Sequence, residues 1–274
     1  MRRFKLKNAA GEEFDLTARE SILLSPSGLG LSHSIDSIAA GYDFVPVEND
    51  LNQQTVGGEI AFSGYDKYRE FVRFCSRRPL TLCYAPAGKW FYRSCELEAL
   101  GKGERAEGAL RCSVDFLCLT PWYDTVVIRQ SQKDDAAAKS YDYAYPYTYA
   151  ETTAGSVSIN NTGTIPAPCR LHIRGPAINP SWALVLGGAV VATGKVYATI
   201  PEGNKLLVDS APAGMQIAEY TNNNGFVQNL YQNSDFATVR FLAAPVGEST
   251  VTFAHEGAGV IDAFVEVRQL ATSV

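Results

Sequence analysis

The sequence lacks most of the features on which metal binding and catalysis depend. It has three histidines and six cysteines among 274 residues, and no Cys-x-x-Cys pair or histidine and cysteine spacing typical of a metal site. It also lacks the Gly-x-Ser-x-Gly motif that builds a nucleophile elbow. We therefore expect no catalytic residue, no metal and no cofactor.

The chain also lacks an excess of basic charge and a long apolar run. Its net charge is −5 and its pI about 5.3, which disfavours nucleic acid or an anionic membrane as a partner. The most apolar run, 183–192, is split by Gly187-Gly188 and predicts a β-hairpin rather than a membrane span. Met1-Arg2-Arg3 is followed by polar residues instead of the apolar core of a signal peptide. We expect a soluble protein with reduced cysteines that folds in the cytoplasm.

What the chain does contain is ordinary for a globular protein. Hydrophobic residues make up 46% and charged residues 19% of the sequence, too apolar a mixture for a disordered protein. Its length lies between those of one large and two ordinary domains and suffices to bury a core. The expected fold class is mainly β.

An alternating strand near residue 110 leads into a change of sequence character. Apolar side chains recur with a period of two, which indicates one buried sheet face, at Cys112, Val114, Phe116 and Cys118. Pro121 cannot donate to a β-ladder, so pairing should stop before it. The polar, Ala-rich segment 131–140 is typical of a linker. We therefore predict two domains, residues 1–130 and 131–274.

The first domain is predicted to be β-sandwich-like and to carry one α-helix. Ser63 and Asp66 form a Ser-x-x-Asp capping box, and Pro79 ends the helix. Its apolar stripe consists of Tyr68, Phe71, Val72 and Cys75. Short strands are expected at 4–7 and 14–16, and longer ones at 80–84, 90–97 and 109–119.

A polar hairpin tip, 101–108, joins the last two of these strands. Its glycines resemble a phosphate-binding loop only superficially, because the Lys-Ser or Lys-Thr ending is missing and the loop joins two strands. A solvated or partner-contacting tip is the favoured interpretation, with Lys102 and Arg105 as candidate interface residues.

Five tyrosines stand at alternate positions just after the linker. They would share one face of an extended segment, and five exposed rings would exceed the apolar patch that a soluble monomer usually shows. Three interpretations stay open: packing on the protein's own sandwich, a subunit interface, or a sugar-binding platform. The tyrosines are Tyr141, Tyr143, Tyr145, Tyr147 and Tyr149.

The rest of the chain has turn signals at intervals typical of a β-sandwich. Between them, strands are predicted at 171–173, 205–208, 239–242, 251–253 and 260–267. The turn of Asn222, Asn223 and Asn224 is a further candidate interface. Trp182 and Tyr220 have the ring chemistry to stack on sugars, although lone aromatics in a sandwich are more often core.

Several segments, taken in order, resemble the distal tail proteins of long-tailed bacteriophages. The N-terminal resemblance rests on residues 56–60, the single helix and the strand that ends in residues 117–123. The C-terminal resemblance rests on 161–163, 166–168, 179–180, 200–203 and 206–209.

The resemblance implies a galectin-like or jelly-roll β-sandwich in the second domain and a structural role without enzymatic activity. It further implies a hexameric ring at the virion tail tip, assembled in the bacterial cytoplasm. The implied partners are the tail tube protein and the hub, fibre or lysin proteins of the tail tip. A carbohydrate-binding or receptor-binding module is the alternative, and a glycosidase the third hypothesis, because two acids on separate strands can converge without a sequence motif.

Overall fold

The computed structural model describes residues 2–106, 108–129, 155–257 and 261–274. The chain divides into two compact units, Met1–Asp124 together with Leu270–Val274, and Thr125–Gln269. Both are built from antiparallel strands, so the predicted mainly β class is confirmed. The expected linker lies outside the described residues, and the predicted division after residue 130 stays a prediction.

The first unit is a curled antiparallel sheet with one helix. Its strands follow the order β2-β1-β8-β9-β11-β7-β4-β3, and β10 pairs with β11. Among the described strands, β5 pairs only with β6. The elements are β1 (Arg3–Lys7), β2 (Glu13–Asp15), β3 (Thr17–Ala18), β4 (Ser21–Leu24), β5 (His33–Ala40), β6 (Asp43–Leu51), β7 (Thr55–Phe62), α1 (Tyr65–Cys75), β8 (Leu80–Ala85), β9 (Phe91–Leu100), β10 (Arg105–Ala106), β11 (Ala109–Cys118) and the start of β12 (Trp122–Arg129).

The core of this unit lies where the alternation predicted it. On β11 the four side chains predicted to share the buried face are buried, and so is Leu110 of the same parity, whereas Arg111 and Ser113 on the other are exposed. β11 pairs with β7 on one side and with β9 on the other. Its pairing ends at Cys118, before Pro121, as expected from the missing N–H donor of proline.

Helix α1 closes one side of this core, but its predicted start was wrong. Gly64 occupies the N-cap position and no side chain caps the helix, so Ser63 does not form the capping box. Phe71 and Phe74 pack against Phe14, with ring centroids 5.2 and 5.5 Å apart. Val72, predicted in the apolar stripe, is exposed, because the curled sheet meets the neighbouring face of the helix.

The second unit is a sandwich of two antiparallel sheets, which confirms the predicted galectin-like arrangement. One sheet has the order β13-β23-β16-β17, and in the other β21-β20-β19-β14-β24 are neighbours. The elements are β13 (Gly155–Asn161), β14 (Ala167–Arg174), β15 (Ala177–Ile178), β16 (Ser181–Leu186), β17 (Ala189–Lys195), β18 (Thr199–Ile200), β19 (Asn204–Asp209), β20 (Gln216–Thr221), β21 (Phe226–Asn229), a 3-10 turn (Tyr231–Asn233), β22 (Ala243–Ala244), β23 (Gly247–Ala254) and β24 (Asp262–Ala271).

Both sheets of the sandwich contribute to one apolar core. Val157, Leu184 and Phe253 come from the first sheet, and Leu171 and Val265 from the second. The hairpin predicted at Gly187-Gly188 is present, with positive φ at both glycines, as a two-residue turn requires. The strand predicted at 239–242 was wrong: these residues form a loop that leads into β22.

Candidate interaction interface

The β5–β6 hairpin is the most exposed element among the described residues. Every residue of both strands is exposed, and the two strands pair only with each other. This includes large apolar side chains, with Ile38 61% and Val47 65% exposed. The hairpin therefore holds apolar surface that this chain leaves uncovered, which is characteristic of an interaction site.

Apolar side chains lie on both faces of the hairpin. Cross-strand partners share a face, and neighbours along a strand alternate between faces. Ile35 pairs with Asn49 on one face, and Ile38 pairs with Val45 on the other, which also carries the pair of Asp36 and Glu48. The exposed aliphatic residues of the two faces are Ile35, Ile38, Val45, Val47 and Leu51, and we call them the aliphatic surface.

Sequence reasoning missed this hairpin. The register shifts between Asp36 and Ser37 because Val47 is an extra residue on β6, so the alternation along that strand is interrupted. Pro46 adds a residue that normally argues against a strand interior. The turn residue Gly41, with φ of 69°, was the available signal.

The candidate residues at the polar hairpin tip, 101–108, are Lys102 and Arg105, and both are exposed. The Lys102 ammonium lies 5.4 Å from the centroid of the Tyr65 ring at the start of α1, a cation–π distance. This contact fixes the loop beside the helix and leaves Arg105 available to a partner.

The second candidate loop is a tight turn between β20 and β21. Asn222, Asn223 and Asn224 are exposed there, and Asn224 has a φ of 66°. The Lys205 ammonium donates to Asn224 Oδ1 at 2.6 Å, so Asn224 also anchors the turn. An interface role for these residues stays a prediction.

The remaining candidate residues are the tyrosines that follow the predicted linker, Trp182 and Tyr220. Tyr141, Tyr143 and Tyr145 lie outside the described residues. Trp182 is only 3% exposed and its indole N–H donates to the Arg240 carbonyl at 3.0 Å, so it cannot serve as a sugar platform. The Tyr220 hydroxyl donates to Gln216 Oε1 at 3.0 Å.

Two carboxylates converge on one arginine in the second unit. Arg170 lies 2.6 Å from Asp209 and 3.3 Å from Glu266, beside a cavity of about 80 Å³. Hydrogen bonding to His172, with Arg170 nearby, lowers the pKa of Glu266. A glycosidase needs an acid with a raised pKa, so this cluster has the wrong electrostatics for that reaction.

The cysteines offer no nucleophile either. All six are free and buried, and a free cysteine in such a position behaves as a small apolar side chain. Burial raises the pKa of Cys75 and Cys95 to about 12, and that of Cys83 and Cys169 to about 11. These thiols stay protonated at neutral pH, whereas the thiolate is the reactive form.

The part of the chain that the structure describes holds no group of three or more histidine, cysteine or acidic side chains placed to bind a metal ion. None of its helices combines the length and apolarity needed to cross a membrane.

Comparison with known proteins places these features in a family context. Residues 3–119 match the family described as distal tail protein, N-terminal domain. The predicted resemblance is confirmed. No curated protein sequence matches the chain.

Solved structures share the fold over both units. A chain of the phage P2 baseplate in its activated conformation with calcium is 15% identical, with a TM-score of 0.68 and full coverage of both chains. The crystal structure of SPP1 Dit, from a phage that infects Gram-positive bacteria, is 14% identical, with a TM-score of 0.64 and coverage of 97% and 98%. The distal tail match spans the β5–β6 hairpin and α1, so the aliphatic surface lies within the matched domain.

Proposed function

We propose that this protein is a structural component of a phage tail tip that closes into a hexameric ring. In this assembly it connects the tail tube protein to the hub, fibre or lysin proteins below, within a virion put together in the bacterial cytoplasm. The match of residues 3–119 to the distal tail N-terminal domain supports the tail-tip role.

The observation that carries the ring is the aliphatic surface of the β5–β6 hairpin. A soluble monomer rarely exposes several large apolar side chains of one element together. A ring needs heterologous contacts, in which a surface of one subunit meets a different surface of the next and the rotation closes. A projecting hairpin suits that role, since it reaches a neighbour without disturbing the curled sheet behind it.

The two predicted domains are assigned different tasks in this proposal. Residues 1–130 build the ring, because they include the hairpin and the matched domain. Residues 131–274, the galectin-like sandwich, face outward towards fibre or receptor-binding proteins. Lys102 and Arg105 belong to the ring surface, and Asn222 to Asn224 and the Tyr141 to Tyr145 segment to the outer contacts. The acidic net charge gives no reason to include nucleic acid or membrane among the partners.

Native mass spectrometry tests the ring directly. Six copies of the 29.7 kDa chain give about 178 kDa if the rotation closes as proposed. A species that stays strictly monomeric at micromolar concentration, both alone and mixed with the tail tube protein, would contradict it. Electron microscopy of tails labelled against this chain then tests its position at the tip.

A further inference from the structure

A polar and aromatic surface at one end of the galectin-like sandwich is independent of the ring. Residues 195–197, at the end of β17, run antiparallel to 233–235. The Tyr197 amide donates to the Asn233 carbonyl at 2.8 Å, and the Asp235 amide to the Lys195 carbonyl at 2.9 Å. Between these bonds Val196 bridges to Ser234, and both are buried.

This pairing decides which side chains point outward. Because Val196 and Ser234 face the core, their neighbours on both segments project from the opposite side. The Tyr197 ring is 53% exposed, and the Lys195 ammonium lies 5.1 Å from its centroid. The chain thus holds an open aromatic face beside a charged donor.

The donor belongs to an ordered polar row. Lys195 Nζ lies 2.6 Å from Glu256 Oε1, and the Asn179 amide donates to Glu256 Oε2 at 2.6 Å. Hydrogen bonding between Lys195 and Glu256 raises the pKa of the lysine and lowers that of the glutamate, so both stay charged. Each group is oriented by its neighbour, which reduces the entropy lost when a ligand binds.

An open groove continues from this row. Its volume is about 370 Å³, and Lys195 and Asp235 line it together with the hydroxyl side chains of Ser181, Thr193, Thr238 and Thr252. Gly194 forms part of the floor, where a Cβ atom would meet the Trp182 indole at 2.4 Å. Glycine therefore leaves room for the buried indole beneath a groove that combines apolar surface with these polar groups.

A second open ring stands on the other segment. Phe236 follows Asp235 directly and is 55% exposed. The Arg240 guanidinium carbon lies 4.3 Å from its centroid, and the Tyr231 ring packs edge-on against it at 5.5 Å. The ring is thus held by contacts on part of its surface while the remainder faces solvent.

We propose that this surface binds a hexopyranose sugar, with Tyr197 as the stacking platform and Lys195, Glu256 and Asp235 as its hydrogen-bonding partners. A pyranose has C–H groups on its faces and hydroxyls around its rim. Each hydroxyl both donates and accepts, which suits a row that alternates ammonium and carboxylate groups. The groove combines apolar surface with hydroxyl groups, which suits the C–H faces and the hydroxyl rim of a pyranose. The carboxylates of Asp235 and Glu256 disfavour phosphate groups.

Saturation-transfer NMR on the full chain tests this site. The probes are methyl β-glucoside, methyl β-galactoside, N-acetylglucosamine and rhamnose. We expect transfer to at least one of them, with a dissociation constant in the millimolar range, about −4 kcal/mol. Tyr197→Ala and Glu256→Gln should each weaken that binding at least about tenfold, whereas Tyr197→Phe keeps the ring and should retain it.

The matched control is Phe226→Ala, since Phe226 is an exposed ring on the edge strand of the other sheet. This variant should bind as the parent does. Absence of transfer from all four sugars to folded protein overturns the proposal, as does binding that Tyr197→Ala leaves unchanged. Neither outcome bears on the ring, which native mass spectrometry tests separately.

Discussion

Two hairpins of the first unit contrast in what covers them. The β9–β11 pair lies inside the sheet and buries one face, including Phe116. The β5–β6 pair is also an antiparallel ladder with large apolar side chains, yet all its residues are exposed. The difference shows that apolar side chains on a strand pair do not specify whether the surface that covers them comes from the same chain.

The largest expected effect compares one phenylalanine from each hairpin. Phe116→Ala removes a fully buried ring and should lower the free energy of unfolding by about 3–5 kcal/mol. Phe44→Ala, at a ring that is 75% exposed, should change it by less than about 0.5 kcal/mol. Urea unfolding of monomeric protein at low concentration measures both. Equal losses would remove the contrast.

The second test introduces negative charge into the aliphatic surface of the hairpin. Ile38→Asp combined with Val47→Asp would place two carboxylates in an apolar contact, where burial of an unpaired charge is costly. Ring association should weaken at least about 100-fold, about 2.7 kcal/mol, while the monomer keeps its stability. Size-exclusion chromatography with light scattering measures the assembly.

Ser34→Asp provides the control for that variant, because Ser34 is a polar residue that pairs with Asp50. It adds one carboxylate to the same hairpin without removing an aliphatic side chain, and the ring should persist. If Ser34→Asp disrupts assembly as much as the double variant does, the contact depends on net charge rather than on the aliphatic surface.

A smaller effect is expected at the buried arginine of β9. Arg93 donates to Gln54 Oε1 at 2.9 Å and to the Thr120 carbonyl at 2.6 Å. Neither of these two acceptors is a carboxylate. Gln54→Ala leaves a buried donor unpaired and should cost about 1–3 kcal/mol. Thermal unfolding measures the loss.

Adding Arg93→Met to Gln54→Ala checks the cause. An apolar side chain needs no acceptor, so the double variant should recover much of the stability lost by Gln54→Ala alone. A double variant that is less stable than the single one would show that Arg93 contributes mainly through its stacking on Trp122, 5.4 Å from the ring centroid.

The smallest effect is a difference in thiol labelling that leaves stability unchanged. The native cysteines are buried and protonated, so a disulfide reagent should react with them slowly at neutral pH. Ser37→Cys places a thiol on the exposed hairpin and should add one fast-reacting equivalent per chain in monomeric protein. Protection of that thiol on ring formation would place the hairpin within the contact, and rapid labelling of the parent chain would refute the burial of its own cysteines.

Much of the strand framework was predictable because short-range pattern decides it. The parity of Cys112 and Phe116, the hairpin at Gly187-Gly188 and the burial of the cysteines all follow from a period of two and from glycine's access to positive φ. Predictions failed where non-local contacts dominate. Gly64 replaced the expected cap, and 239–242 formed a loop although its residues favour a strand.

The candidate sites were less predictable than the fold. Trp182 was a plausible sugar platform by residue type, but the structure buries it and exposes Tyr197 and Phe236 instead. Lys195 and Glu256 stand 61 residues apart in sequence, so no local pattern could pair them. The register shift at Asp36 and Ser37 likewise interrupts the alternation along β6, so no simple period in the sequence marks the aliphatic surface.

The sequence by itself determined that this protein is β-structured, which strand faces are apolar, and that its N-terminal part resembles distal tail proteins. Those properties reside in neighbouring residues and in their order. The tertiary structure alone decided which apolar faces find cover within the chain, since burial depends on strands and loops brought together from distant positions. It left the β5–β6 hairpin uncovered and placed Tyr197 beside an ordered polar row.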